Sequence, residues 1–199
     1  LCTVAGGIIY ATGHIKTGGW FLGMTALFDV LDGTVARRSN KSSTFGAFLD
    51  STLDRVADGA LLGGLAVFYA LNPVHHNVPM MSVCLLGLIG AYLTSYIRAR
   101  AEALGLDAKV GMLQRPERIV LLSAPQAFFG LALHGWVLMA IVVLLATTAW
   151  WTAYQRIMFV HRMTRPVDAT LARAALPDPN APRADALPAQ AAGVPTDRK

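Results

Sequence analysis

Four aspartates stand in two closely spaced pairs, each at the end of a long apolar segment. Asp29 and Asp32 are three residues apart and Asp50 and Asp54 are four apart, so on helices each pair shares one face. Charge beside hydrocarbon is costly, and intramembrane acids therefore mark functional sites. Their hard oxygen atoms suit Mg²⁺ or Mn²⁺. Two helices with such pairs can hold two divalent cations, which is the layout needed to bind a pyrophosphate and move a phosphoryl group.

The residues around the aspartates suit the same chemistry. Asp54 can complete the metal site and also accept the proton of an attacking hydroxyl group. Gly33 and Ala36 lack bulk, so a nucleotide can approach the backbone closely. Arg37 suits a bidentate contact with phosphate, and Ser43 can hydrogen-bond a nucleotide. The alternative is an interhelical polar network in which the acids and the arginine only satisfy one another.

Long apolar segments position these residues. The chain has 199 residues, is 54% hydrophobic and has a mean hydropathy of +0.47, which is too apolar for an ordinary soluble domain. About 20 residues span a bilayer as a helix, and the apolar runs are long enough. The sequence predicts an all-α integral membrane protein with six transmembrane helices, the first of them truncated at its N-terminus. These spans are expected near 1–12, 18–31, 45–71, 80–96, 119–133 and 136–159.

The net charge of +5 is distributed unevenly. With six spans, the loops at 36–45 and 97–118, the adjoining helix ends and the tail fall on one side, and they hold every Lys and Arg except Lys16 and Arg55. The positive-inside rule makes that side cytoplasmic. We therefore expect a multi-pass protein of the cell membrane with its active site facing the cytoplasm. We expect no nucleic-acid partner, because no platform of basic and aromatic residues is visible.

The composition changes at about residue 164. From there the chain is rich in Pro, Ala, Asp and Arg, without hydrophobic periodicity. Such a segment cannot bury a core. We expect a transmembrane domain at 1–163 and a disordered cytoplasmic tail at 164–199.

The aspartate segment fits the pattern D-x2-D-G-x2-A-R-x8-G-x3-D-x3-D at every fixed position. This pattern is the signature of the CDP-alcohol phosphotransferases, and the chain resembles that family. The matching residues are Asp29, Asp32, Gly33, Ala36, Arg37, Gly46, Asp50 and Asp54.

The resemblance implies an integral membrane enzyme with six helices. Such an enzyme transfers a phosphatidyl group from a CDP-linked lipid, here CDP-diacylglycerol, to an alcohol and releases CMP. By position, Gly33, Arg37 and Ser43 would bind the CDP-lipid. Family analogy also implies a homodimer.

A second group of residues bears on the alcohol. Arg98, Arg100, Arg115 and Arg118 are expected at the cytoplasmic ends of two helices, and Arg156 reaches the same level from the last helix. Five guanidinium groups exceed what one CDP-lipid needs, so an acceptor that carries its own phosphate would explain them.

The stretch SYIRARAE, followed by RPER and by QR in the last helix, is similar to bacterial phosphatidylinositol phosphate synthases of the actinobacterial type. That resemblance implies inositol 1-phosphate as acceptor and phosphatidylinositol phosphate as product. It places Ser95, Arg118 and Arg156 on the acceptor phosphate, with Arg98 and Arg100 lining the pocket.

Four other interpretations remain at this point. Arginines at cytoplasmic helix ends also serve as topology anchors, and the same chemistry could use glycerol 3-phosphate as acceptor. A membrane cation transporter would use the aspartates as an ion path, but it predicts acids spread over the membrane depth, whereas these cluster at one side. A non-catalytic membrane scaffold leaves the four acids unexplained.

Overall fold

The computed structural model describes residues 2–38, 43–108, 110–111 and 115–174, without the side chains of 29–38, 115–116 and 167–174. The described part is all-helical, which confirms the predicted fold class at that level. It contains α1 (Cys2–Ala11), α2 (Ile15–Arg38), α3 (Thr44–Leu71), α4 (Val78–Ala103), α5 (Arg115–Phe129) and α6 (Trp136–Ala174).

Local sequence signals explain where several helices begin and end. The hydroxyl of Ser43 accepts a hydrogen bond from the amide of Gly46 at 3.0 Å and so caps the start of α3. Asn77 caps α4 in the same way through the amide of Met80. Helix α5 ends before Gly130, whose positive φ of 53° turns the chain.

The core of the bundle lies between the helices in unit Leu1–His161, the first of two units into which the chain divides. Tyr10, Leu65, Phe68 and Leu138 are almost fully buried in one apolar cluster. The Tyr10 hydroxyl donates to the carbonyl of Leu122, which ties α1 to α5. Helix α1 packs against α3, and α2 packs against α5.

Two described helices, Val78–Ala103 and Leu133–Pro166, are long and apolar enough to cross a membrane. Helices α2 and α3 carry the acidic residues of the motif within their length, and α1 and α5 are shorter. Six membrane crossings therefore stay a proposal.

Several helices extend beyond the apolar spans expected from the sequence. Helix α2 continues to Arg38 and α4 to Ala103, because backbone hydrogen bonding does not stop where hydropathy falls. Helix α6 continues to Ala174, past the expected boundary at residues 163 and 164. The remaining expected tail, 175–199, lies outside the described residues.

Candidate functional site

A cavity of about 900 Å³ lies among the N-terminal half of α3, the C-terminal end of α4, the start of α5 and the middle of α6. Sequence-distant segments therefore meet at one end of the bundle, as the loop assignment predicted. The charged residues that line it in the described part of the chain are Asp54, Arg55, Arg98, Glu102, Arg118 and Arg156.

The acidic residues of α3 differ in position. Asp54 lines the cavity, whereas Asp50 lies one turn nearer the helix start, is exposed and is not part of the cavity lining. The sequence predicts that Asp54 binds a metal ion and accepts a proton from the attacking hydroxyl group. Its position in the cavity lining suits contact with such a hydroxyl group.

The first aspartate pair is placed by its backbone. Asp29 and Asp32 belong to α2, and their side chains lie outside the described part of the structure. Asp32 lies six residues before Arg38, where α2 ends, and Asp50 lies six residues after Thr44, where α3 begins, which is about 9 Å along each helix axis.

Of the three residues proposed to bind the nucleotide, the structure describes the side chain of Ser43. Gly33 and Arg37 also lie in the last turns of α2, where side chains are not described. Ser43 is described, and its hydroxyl caps α3 by accepting from Gly46. A capping serine at this position orients the first turn of the helix that carries Asp50 and Asp54, and its nucleotide contact stays a prediction.

Four of the five proposed acceptor residues meet at the cavity. Ser95, Arg98, Arg118 and Arg156 all line it, but Arg100 does not. The residues of α4 that line the cavity are centred on the face of Ser95 and Glu102, and the exposed Arg100 falls on the opposite side of the helix. The expectation that Arg100 lines the pocket is therefore corrected.

Arg156 is held by two backbone carbonyl groups. Its Nε donates to the carbonyl of Val110 at 2.7 Å, and its Nη1 donates to the carbonyl of Thr94 at 2.5 Å. These bonds fix the guanidinium between α4 and the loop that follows it. An arginine with a planar fork of donors can make both contacts at once, and lysine cannot.

The loop before α5 contacts Arg156 through Val110. Val110 and Gly111 both line the cavity. A methyl group at Gly111 would lie 2.7 Å from Cγ2 of Thr152, so a larger residue here requires the loop or the Thr152 side chain to shift. Thr94 and Thr152, which sequence reasoning did not single out, contribute to the wall from α4 and α6.

Arg98 and Ser95 already have partners within α4. Arg98 Nε donates to Oε1 of Glu102 at 2.8 Å, and both side chains are about half exposed. The Ser95 hydroxyl donates to the carbonyl of Ala91 at 3.0 Å. Both groups can rotate toward an anion in the cavity, since neither is buried.

A buried aspartate connects two arginines of the cavity wall. Asp58 Oδ2 lies 3.5 Å from Nη1 of Arg118 and 3.9 Å from Nε of Arg55. Asp58 lies one turn beyond Asp54 on α3, so the two acids share a helix face.

The lining therefore presents four guanidinium groups and two carboxylates in the described part of the chain. Guanidinium groups bind phosphate through charge-assisted hydrogen bonds. One end of the site thus suits a phosphorylated ligand, and Asp54 lies in the lining of the same cavity.

Comparisons with known proteins agree with the aspartate motif. The family model described as CDP-alcohol phosphatidyltransferase matches residues 1–160. The archaetidylinositol phosphate synthase of Methanothermobacter thermautotrophicus is 37% identical, with 80% of this chain and 76% of the relative covered. The phosphatidylinositol phosphate synthase of Mycobacteroides abscessus is also 37% identical, with 79% of this chain and 71% of the relative covered.

A solved structure shares the fold. The phosphatidylinositol phosphate synthase of Mycobacterium tuberculosis, crystallised with CDP-DAG bound, superposes with a TM-score of 0.70 at 34% identity, covering 80% of this chain and 81% of that one. The same enzyme has been solved in complex with manganese and citrate. The expected resemblance is confirmed: the chain is a transferase and belongs to the CDP-alcohol phosphatidyltransferase family.

Proposed function

We propose that the protein transfers a phosphatidyl group from CDP-diacylglycerol to inositol 1-phosphate, giving phosphatidylinositol phosphate and CMP. The observation that carries this proposal is the convergence of Arg55, Arg98, Arg118 and Arg156 on one cavity beside Asp54. Four guanidinium groups against two carboxylates in the lining favour an acceptor that carries a phosphate over a neutral alcohol.

The relatives' names support the acceptor more strongly than the lipid. The two curated relatives differ in their lipid, archaetidyl in one name and phosphatidyl in the other, and agree on inositol phosphate. The solved relative with CDP-DAG bound favours a diacylglycerol lipid. We therefore infer an inositol phosphate acceptor and a CDP-linked donor, with CDP-diacylglycerol as the first donor to test.

The donor half of the site lies at the facing ends of α2 and α3. Asp29, Asp32, Asp50 and Asp54 would hold two divalent ions, Mg²⁺ or Mn²⁺, because all four are hard oxygen donors and a relative has been solved with manganese. Bound metal would neutralise the pyrophosphate of the donor.

The remaining donor contacts come from the same two helices. Gly33, Arg37 and Ser43 would contact the CDP-lipid: Gly33 by letting the nucleotide approach the backbone, Arg37 through a bidentate bond to phosphate, and Ser43 through its hydroxyl group. Each of these contacts is inferred from the match to the family motif.

The acceptor half lies among α4, α5 and α6. Arg118 and Arg156 would bind the acceptor phosphate, and Ser95 and Arg98 would complete its surroundings. The acceptor hydroxyl then faces Asp54. As its oxygen bonds to the phosphorus atom that carries diacylglycerol, the bond to the CMP oxygen breaks, and Asp54 takes the hydroxyl proton.

The membrane arrangement follows from the sequence and the helices together. Two described helices can cross a membrane by length and composition, and we propose that all six do so, as a multi-pass protein of the cell membrane. The cavity lies at the end that carries the basic loops, which the positive-inside rule assigns to the cytoplasm. A homodimer is the assembly we propose.

The direct test is an acceptor comparison with purified protein. CDP-diacylglycerol and Mg²⁺ are supplied with inositol 1-phosphate, free inositol or glycerol 3-phosphate, and CMP release is followed. We expect release with inositol 1-phosphate, and its loss when a chelator removes the metal. Faster release with glycerol 3-phosphate would move the assignment to phosphatidylglycerophosphate synthesis, and faster release with free inositol would contradict a phosphate-binding acceptor pocket.

A further inference from the structure

Asp58 is the buried acid closest to the proposed acceptor pocket, and the reaction described above gives it no task. It is only 8% exposed, and its Oδ2 lies between the guanidinium groups of Arg118 and Arg55, at 3.5 Å and 3.9 Å. Arg118 belongs to α5 and Arg55 to α3. A single carboxylate therefore ties together two cations from two helices.

Asp58 lies behind the cavity wall and does not face the cavity itself. It lines a separate small cavity of about 20 Å³ with apolar neighbours that include Leu61, Leu62 and Leu122. Arg118 lines both this small cavity and the large one. A space of that volume holds about one water molecule, so no substrate reaches Asp58, and any effect of Asp58 on substrate must pass through an arginine.

A buried carboxylate in this position has a physical cost that needs an explanation. Removing a charge from water costs several kcal/mol, and an ion pair repays that only with well-placed partners. Asp58 Oδ2 and Arg118 Nε have no hydrogen-bond partner among the described residues, so the pairs are ionic contacts that hold position and charge. An apolar residue would fill the same space at lower cost.

We propose that Asp58 is a positioning residue for acceptor selection: it holds the Arg118 guanidinium in the cavity wall so that the enzyme prefers a phosphorylated alcohol over its unphosphorylated form. This inference rests on the proposed function. Arg118 keeps its remaining donors for the acceptor phosphate. The carboxylate of Asp58 also holds Arg55 beside Asp54.

Two physical effects of Asp58 have opposite signs, which makes the inference testable. If Asp58 mainly diluted the positive charge of the pocket, Asp58→Asn would strengthen phosphate binding. If Asp58 mainly positions Arg118, the neutral variant frees two like charges to move apart, and phosphate binding weakens. We expect the second effect to dominate, because both arginines are within 4 Å of the same oxygen atom.

The experiment measures kcat/KM for inositol 1-phosphate and for free inositol in wild type, Asp58→Asn, Arg118→Gln and the double variant. Asp58→Asn should raise the KM for inositol 1-phosphate about tenfold and leave the KM for CDP-diacylglycerol nearly unchanged. The double variant should be no more than about twofold worse than Arg118→Gln alone, because the two residues act as one unit. Asp185→Asn, which also removes one negative charge and lies in the C-terminal tail, is the matched control.

Each outcome is decisive. An unchanged or lower KM for inositol 1-phosphate in Asp58→Asn, or independent effects in the double variant, would overturn the inference. If Asp58→Asn does not fold, the double variant lacks both charges of the pair and can be compared with Arg118→Gln. Failure of the proposed function shows in the wild type, as preference for another acceptor, whereas failure of this inference shows only in the variants.

Discussion

Asp54 and Asp58 are one helical turn apart on α3 and have different surroundings. Asp54 lines the large cavity, and Asp58 lies behind the wall against Arg118. We therefore propose different roles for the two aspartates: Asp54 accepts the proton of the reacting hydroxyl group, and Asp58 positions the guanidinium group of Arg118. The difference comes from the depth of each residue within the bundle.

The role of Asp54 as proton acceptor predicts a selective loss. At saturating Mg²⁺, Asp54→Asn should lower kcat by about 10²- to 10⁴-fold, because an amide cannot take up the hydroxyl proton. The KM for CDP-diacylglycerol should change much less. Two-substrate kinetics measures both quantities, with Asp185→Asn as the control. A kcat near the wild-type value would mean that another group is the base.

The two backbone contacts of Arg156 predict that its shape matters as well as its charge. Arg156→Lys keeps the charge but cannot reach the carbonyls of Val110 and Thr94 together. A charge-assisted hydrogen bond contributes about 1.5–3 kcal/mol. The KM for inositol 1-phosphate should therefore rise about tenfold to a hundredfold in both Arg156→Lys and Arg156→Ala. Wild-type kinetics in Arg156→Lys would show that the charge alone is sufficient.

At the scale of elements, the loop before α5 forms part of the acceptor pocket because it packs closely on α6. A methyl group at Gly111 would approach Cγ2 of Thr152 to 2.7 Å. Gly111→Ala should displace the loop, weaken the contact between Val110 and Arg156, and raise the KM for inositol 1-phosphate.

A second-site change tests whether this contact is the cause. Thr152→Ser removes the crowding methyl group and keeps the hydroxyl group, so Gly111→Ala/Thr152→Ser should recover most of the lost acceptor binding. The acceptor KM of the single and double variants is the measurement. A double variant as impaired as Gly111→Ala would place the defect elsewhere in the loop.

Two adjacent glycines of α3, Gly63 and Gly64, allow a test of how closely α1 packs against α3. A methyl group at Gly64 would collide with the carbonyl of Gly7, whereas one at Gly63 meets nothing within 4 Å. Gly64→Ala should destabilise the bundle by about 1–3 kcal/mol through overpacking. Gly63→Ala should be neutral or stabilising by about 0.5–1 kcal/mol, since alanine favours a helix. Thermal unfolding in detergent compares them, and equal midpoints would contradict the close α1–α3 contact.

For the whole molecule, the sequence predicted what depends on local pattern. Apolar runs located the helices, and the fixed spacing from Asp29 to Asp54 identified the family that the comparisons confirm. The arginine count predicted a cluster at one end of the bundle, where Arg98, Arg118 and Arg156 do line one cavity.

What depends on tertiary contacts could not be predicted in this way. Arg55 and Asp58 are three residues apart on α3, but the contact of Asp58 with Arg118 depends on the approach of α5. The loop at residues 110–111 has no periodicity, so its contact with Arg156 depends on the packing of α4 against α6. Arg100 is near Arg98 in sequence, but it falls on the side of α4 opposite the face of Ser95 and Glu102 that lines the cavity.

The proposed acceptor pocket is formed by parts of four helices, and we propose that it binds the acceptor through its phosphate group. The most direct measurement follows two labels in one reaction, the phosphate and the ring of inositol 1-phosphate, with CDP-diacylglycerol and Mg²⁺. We predict that both labels enter the lipid product in equal amounts, with one CMP released for each. Ring label in the lipid without the phosphate label, or CMP release with neither label in the lipid, would contradict an acceptor bound through its phosphate.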